Sequence, residues 1–140
     1  MISGVEIKHL VTHKDERGFF REVIRYSDDL FVEQFAQWSH SVKYAGYYTE
    51  EFHLHQHQVD WWYVPIGALW VVLIDQRPGG KSKPDEIILS HGTFVLRIPP
   101  GVAHGLKVLE GPAHLMYITS QVYNPADEGR VRLDYDWSKV

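Results

Sequence analysis

The segment Phe52-His53-Leu54-His55-Gln56-His57-Gln58-Val59-Asp60 concentrates the side chains best able to do chemistry. On a strand, alternate side chains share a face, so His53 and His55 point the same way. Gln56–Val59 can turn the chain, and Asp60 then returns on a neighbouring strand close to both imidazoles. A further imidazole, His104, follows Pro99-Pro100-Gly101, where a turn would deliver it to the start of another strand. Such a group permits two chemistries. Imidazoles with a carboxylate suit Fe, Mn, Ni or Zn, with positions left open for substrate. Alternatively a single imidazole, with an ordinary pKa near ~6.5, is poised at neutral pH to act as a general base. His57 belongs to the turn and is expected in solvent. His9, His13, His40, His91 and His114 have no partner pattern and read as ordinary residues.

Positioning these groups requires strands, and Gly and Pro punctuate the chain at the close spacing of an all-β sandwich or barrel. Predicted strands are Val5–Val11, Phe19–Tyr26, Phe35–Val42, Tyr47–His55, Trp61–Pro65, Ala68–Asp75, Glu86–Leu89, Phe94–Ile98, Ala103–Val108 and Ala113–Gln121. Asp28–Gln34 is predicted as one short helix capped by Ser27 or Asp28. Gln76–Pro84 reads as an exposed loop. Asn124-Pro125 ends the last long strand. The tail after Asp127 is polar and is expected to pack outside the barrel.

A chain of 140 residues fits one domain, residues 1–140, able to bury a core without staples. It has no cysteine, which excludes disulfides and Cys-ligated metal centres and leaves an intracellular setting unopposed. The N-terminus has no basic segment followed by an apolar one, so no signal peptide is expected. The longest apolar run, Ala68–Ile74, is too short to span a bilayer. A net charge of −4 without any Lys/Arg cluster argues against nucleic acid as a partner. The expected setting is cytoplasmic, with neither nucleic acid nor membrane as a partner.

The blocks Gly46…His53-x-His55-x4-Asp60-x6-Gly67 and Pro99-x-Gly101-x2-His104 resemble the two cupin motifs, with Asp where the first usually carries Glu. The cupin resemblance implies a jelly-roll-like β-barrel and, in metal-binding members, a site built here from His53, His55, Asp60 and His104. Further blocks narrow it: Asp15-Glu16-Arg17-Gly18-Phe19-Phe20-x-Glu22, Gln37-x2-His40-Ser41, Gly67-x7-Asp75-x-Arg77, Ile98-Pro99-x-Gly101-x-Ala103-His104-Gly105 and Tyr117-x5-Tyr123-x-Pro125-x2-Glu128-x-Arg130. Together they resemble the dTDP-4-dehydrorhamnose 3,5-epimerase family. That resemblance implies His53 as general base, Tyr117 as opposing acid and Tyr123 as a second pocket tyrosine. Arg17, Phe19, His55 and His104 would contact a nucleotide sugar. It implies no metal or organic cofactor, and a homodimer that exchanges N-terminal strands.

Three positions depart from the family pattern. Asp60 stands where the family carries a lysine, and Glu50-Glu51 where an arginine precedes the base. The chain ends before the aspartate that the family pairs with its histidine, and Asp60 or Asp75 would have to orient His53 instead. Three readings follow. The first is a metal-free epimerase or isomerase of a 4-keto-6-deoxy nucleotide sugar. The second is a metal-dependent enzyme using a divalent transition metal on His53, His55, Asp60 and His104. The third is a non-catalytic sugar or metabolite binder, with Trp61, Trp62, Tyr63 and Trp70 as stacking faces or, equally, as barrel core and dimer interface.

Overall fold

A computed structural model describes residues 1–81 and 83–140. In chain order the strands are β1 (Glu6–His9), β2 (His13–Asp15), β3 (Gly18–Phe20), β4 (Gln37–Lys43), β5 (Phe52–Leu54), β6 (Asp60–Asp75), β7 (Asp85–Ser90), β8 (Phe94–Ile98), β9 (Val102–Thr119) and β10 (Gly129–Val131), followed by a 3-10 turn at Trp137–Lys139. β6 and β9 run antiparallel along their whole length, from Asp60 opposite Thr119 to Asp75 opposite Val102. The other strands pack around this spine. β8 and β7 take successive halves of β6, β4 and β5 take opposite ends of β9, and β1 and β10 lie at the sheet's two edges. The result is an all-β, jelly-roll-like cupin fold.

The sequence reading divides each spine strand in two, at Ile66–Gly67 and at Leu109–Pro112, and the structure joins them. β6 absorbs its break as bulges between Tyr63 and Leu69, where Pro65 sits opposite no partner, as proline in a sheet must. Gly67 allows this because its φ is +83° and a Cβ there would lie 2.6 Å from the Glu110 carbonyl.

Alternation decides which groups face inward. Along β6, Trp62, Val64, Leu69, Val71 and Leu73 enter the main core with Leu96, Ile98, Leu106 and Leu115. Each such side chain, fully buried, contributes about 1.5–3 kcal/mol. The same alternation continues toward the open end with polar residues, and those form the site.

Two further segments depart from expectation. Asp28–Gln34 is not helical. Its polar groups are taken by the barrel: the Leu30 carbonyl accepts from Trp61 Nε1 at 2.9 Å and Glu33 pairs with Arg97 at 2.6 Å. Seven residues make a marginal helix, and tertiary contacts override it. The predicted strand Phe19–Tyr26 shrinks to β3, which pairs only with β2 in an exposed hairpin. Tyr47–His55 shrinks likewise to β5, preceded by a lone bridge from Tyr48 to Lys107. The tail packs on the outer face of the sheet, but through apolar groups: Val131, Leu133, Tyr135 and Trp137 cover Phe52, Val72 and Ala103. The described part of Gln76–Pro84 is loop, and Ser82 lies outside the described residues.

Candidate active site

The open end of the barrel holds a pocket built by inward-facing positions of four strands and the loop after β9. β4 contributes Gln37, Ser41 and Lys43; β9 contributes His104, Leu115, Tyr117 and Thr119. His53 and His55 enter from β5 and its continuation, Asp60 and Trp62 from β6, and Tyr123 and Glu128 from the loop. His53 and His104 lie opposite each other in the β5–β9 register. Gly105 lets Phe52 pack beneath, since a Cβ there would stand 2.9 Å from the Phe52 ring.

The four predicted chemical residues are brought together but divide into two groups. His55, Asp60 and His104 offer ligand atoms that all lie within 4.8 Å of one another, and His53 is not part of that set. His55 Nδ1 meets the Asp127 carbonyl at 3.2 Å and His104 Nδ1 meets the Val102 carbonyl at 3.2 Å. A carbonyl only accepts, so each Nδ1 donates, and in the neutral ring Nε2 carries the free lone pair. Burial pushes His104 down to about 4, against the opposing pull of Asp60, so it is neutral at pH 7. Asp60 is buried and its two oxygens are anchored, Oδ1 by Gln58 Nε2 at 2.8 Å and Oδ2 by Trp62 Nε1 at 3.0 Å.

His53 faces elsewhere. Its Nδ1 lies 4.0 Å from Glu128 Oε1, a charge contact longer than a hydrogen bond. Partial burial, then the Arg130 charge, lower its pKa, with Glu128 opposing. Arg130 is the register partner of His53 across β5–β10. Neither Asp60 nor Asp75 orients His53, contrary to the sequence expectation. Asp60 is engaged as above, and Asp75 is clamped by Arg77 at 2.8 Å. Glu128 is the carboxylate in place, and it also stands near the exposed Tyr123 hydroxyl and raises the pKa of that phenol.

The other expected site residues take the following positions. Arg17 and Phe19 do not line the pocket of their own chain. They sit on the β2–β3 hairpin, where Arg17 pairs with Asp15 at 2.6 Å and Phe19 is 62% exposed. His104 forms the pocket floor as a buried neutral ring, a poor partner for a phosphate. Of the aromatic run, only Trp62 lines the pocket. Trp61 and Tyr63 pack on the other face of the sheet, and Trp70 donates to Tyr135 on the outside. His57 is exposed, as its turn position predicts.

Sequence reasoning missed Glu128, Lys43 and Gln58. Lys43 lines the pocket, and burial lowers its pKa. Its place in the alternation of Gln37, Ser39, Ser41 and Lys43 was the available signal.

A barrel of this topology with an ionisable pocket at its open end is a cupin enzyme scaffold. The sequence profile of the family described as dTDP-4-dehydrorhamnose 3,5-epimerase matches residues 1–138. The chain belongs to that family of sugar-nucleotide epimerases. The spore coat polysaccharide biosynthesis protein SpsL of Bacillus subtilis is 41% identical over 140 residues, covering 97% of this chain and 91% of that protein. The dTDP-6-deoxy-D-glucose-3,5-epimerase of Legionella pneumophila, solved in complex with dTDP-4-keto-L-rhamnose, superposes with a TM-score of 0.80 at 29% identity, over 91% of this chain and 72% of that one. The dTDP-4-dehydrorhamnose 3,5-epimerase of Bacillus anthracis, solved with TDP and PPi bound, gives a TM-score of 0.80 at 25% identity, over 89% and 77%.

Proposed function

We propose that the protein epimerises a 4-keto-6-deoxy nucleotide sugar at a carbon beside the ketone. The observation that carries this is His53, facing a carboxylate in a pocket that also holds two tyrosines. His53 removes the proton from the carbon next to the carbonyl, and the bonding electrons pass to the ketone oxygen as an enolate. Tyr117 returns a proton to the opposite face, and the carbonyl re-forms with inverted configuration. Solvent restores the protonation of both side chains. No electrons are gained or lost, so the reaction consumes no redox cofactor. Glu128 faces the imidazolium that forms on His53, and Lys43 brings positive charge toward the enolate. Tyr123, at the mouth beside Glu128, closes the polar end over the sugar. The ligands named for the Legionella and Bacillus anthracis enzymes support a nucleoside diphosphate sugar as the substrate class.

The working unit in this reading is a homodimer. Val23, Ile24, Phe35, Trp38, Met116 and Ile118 line an apolar groove on the outer face of the sheet, and Trp38 and Phe35 are 66% and 57% exposed. A second copy is the occupant, covering this face while its β2–β3 hairpin carries Arg17 and Phe19 toward the neighbouring pocket. A cytoplasmic setting accords with this reading.

The test is solvent deuterium exchange into the sugar beside the ketone. His53→Asn lowers the exchange rate by about 10²–10⁴-fold, the usual worth of a general base. Tyr117→Phe retains exchange but loses formation of the inverted isomer. An unaltered exchange rate in the His53 variant removes His53 as the base.

A further inference from the structure

We propose that Asp127 is a positioning residue for the base: its buried carboxylate clasps the loop after β9 to the turn between β5 and β6 and so keeps Glu128 beside His53. The catalytic half of this inference rests on the epimerase reading, whereas the clasp itself does not.

The loop that crosses the pocket mouth, residues 121–128, lies mostly in solvent. Residues 122–126 are all exposed, and Asp127 is the single buried residue between Gln121 and Arg130, at 9%. A buried carboxylate is costly unless hydrogen bonds replace its water. Here both oxygens are used. Oδ1 accepts from the Gln56 N–H at 2.8 Å and Oδ2 from the His57 N–H at 3.3 Å. These successive backbone donors stand in the turn between β5 and β6, 71 and 70 residues earlier in the chain. The Asp127 carbonyl also accepts from His55 Nδ1 at 3.2 Å. Hydrogen bonds to an ionised acceptor are the strong ones, so one residue ties the loop to the turn.

The turn is a firm anchor. The His55 carbonyl accepts from the Gly101 N–H at 2.8 Å, and Val59 exchanges two hydrogen bonds with Ser120, at 2.9 and 3.0 Å. The loop therefore leaves the turn at Ser120 and returns to it at Asp127. Glu128 follows directly, with its Oε1 4.0 Å from His53 Nδ1. Beyond it, β10 pairs with β5 over three residues, of which Gly129 and Arg130 are exposed. So short an edge strand, opening on a glycine, holds Glu128 weakly by itself. Without the Asp127 carboxylate the two N–H groups turn to water, and Glu128 can swing away from His53. Charge attraction falls with distance and with the entry of water. The loss therefore grows toward that of removing the Glu128 charge and stops there.

The experiment uses the full chain and deuterium exchange on a 4-keto-6-deoxy nucleotide sugar. Asp127→Ala lowers kcat at least about fivefold, and no further than Glu128→Gln does, with KM nearly unchanged. In a chain already carrying Glu128→Gln it lowers kcat by less than about twofold more, because the side chain it positions no longer carries charge. Asp127→Asn keeps an oxygen for Gln56 but turns an amide toward His57. It shows the same pattern at about twofold or more, and it serves if the alanine variant fails to fold. In NMR spectra of the free protein the His53 ring signals move in either variant. Those of His40 and His114, an exposed pair hydrogen-bonded to each other at 2.9 Å, stay in place. Losses that multiply in the double variant, or a rise in KM at unchanged kcat, overturn the positioning role. Unmoved His53 signals overturn the clasp. Moved His53 signals, in a protein whose wild type exchanges deuterium into no 4-keto nucleotide sugar, leave the clasp standing and sink the epimerase reading instead.

Discussion

Replacing Glu128 with Gln tests how the pocket supports its base. The substitution keeps the side chain's size and removes its charge. Glu128 Oε1 lies 4.0 Å from His53 Nδ1. A unit-charge pair at that distance is worth about 1 kcal/mol at the dielectric of water and about 4 kcal/mol at an effective dielectric of 20. His53 and Glu128 have side chains 38% and 23% exposed, which places the pair between those limits. The charge on His53 exists only after it has taken the proton, so the loss falls on the chemical step. At 1.36 kcal/mol per tenfold, the exchange rate drops roughly fivefold to several hundredfold. Arg130, which already disfavours the charged ring, is no longer balanced and pushes the effect toward the upper figure. The assay is single-turnover deuterium incorporation in D2O, followed by NMR on a 4-keto-6-deoxy nucleotide sugar. The expected signature is a fall in kcat with KM nearly unchanged, because the carboxylate is asked to stabilise the protonated base and not the bound sugar. A rate within twofold of wild type would refute the role given to Glu128. A rise in KM with kcat unchanged would make it a binding residue.

Two further outcomes are expected. Mixing Arg17→Ala with His53→Asn subunits, each inactive alone, regenerates one complete pocket per heterodimer if the hairpin crosses to the neighbour. Statistical exchange under two-fold symmetry then recovers about a quarter of wild-type activity, and no recovery argues against the exchange. Asp75 is held by Arg77, which lowers its pKa below the ordinary 3.8, so the folded state favours the carboxylate. Its stabilisation, about 1 kcal/mol for a contact of this kind, is complete above about pH 4 and lost as pH falls through the lower folded value. Urea unfolding should therefore show Asp75→Asn converging on wild type below pH 4, and a pH-independent gap would contradict the assignment.

Much of this protein was written locally. Alternation placed His53 and His55 on one face, Pro99-x-Gly101 announced the turn before His104, and the family blocks named the fold. Those signals depend on spacings of two to seven residues, which a strand or turn translates directly into direction. Spacing cannot say which carboxylate meets which imidazole. Asp60 is seven residues from His53 yet turns to Gln58 and Trp62, while Glu128 arrives through β10 and stands beside it. Nor could propensity decide Asp28–Gln34, where the barrel claims the groups a helix would use. The separation of His53 from the His55, Asp60 and His104 group was settled only by long-range register, because β5, β6, β9 and β10 meet there from distant parts of the chain.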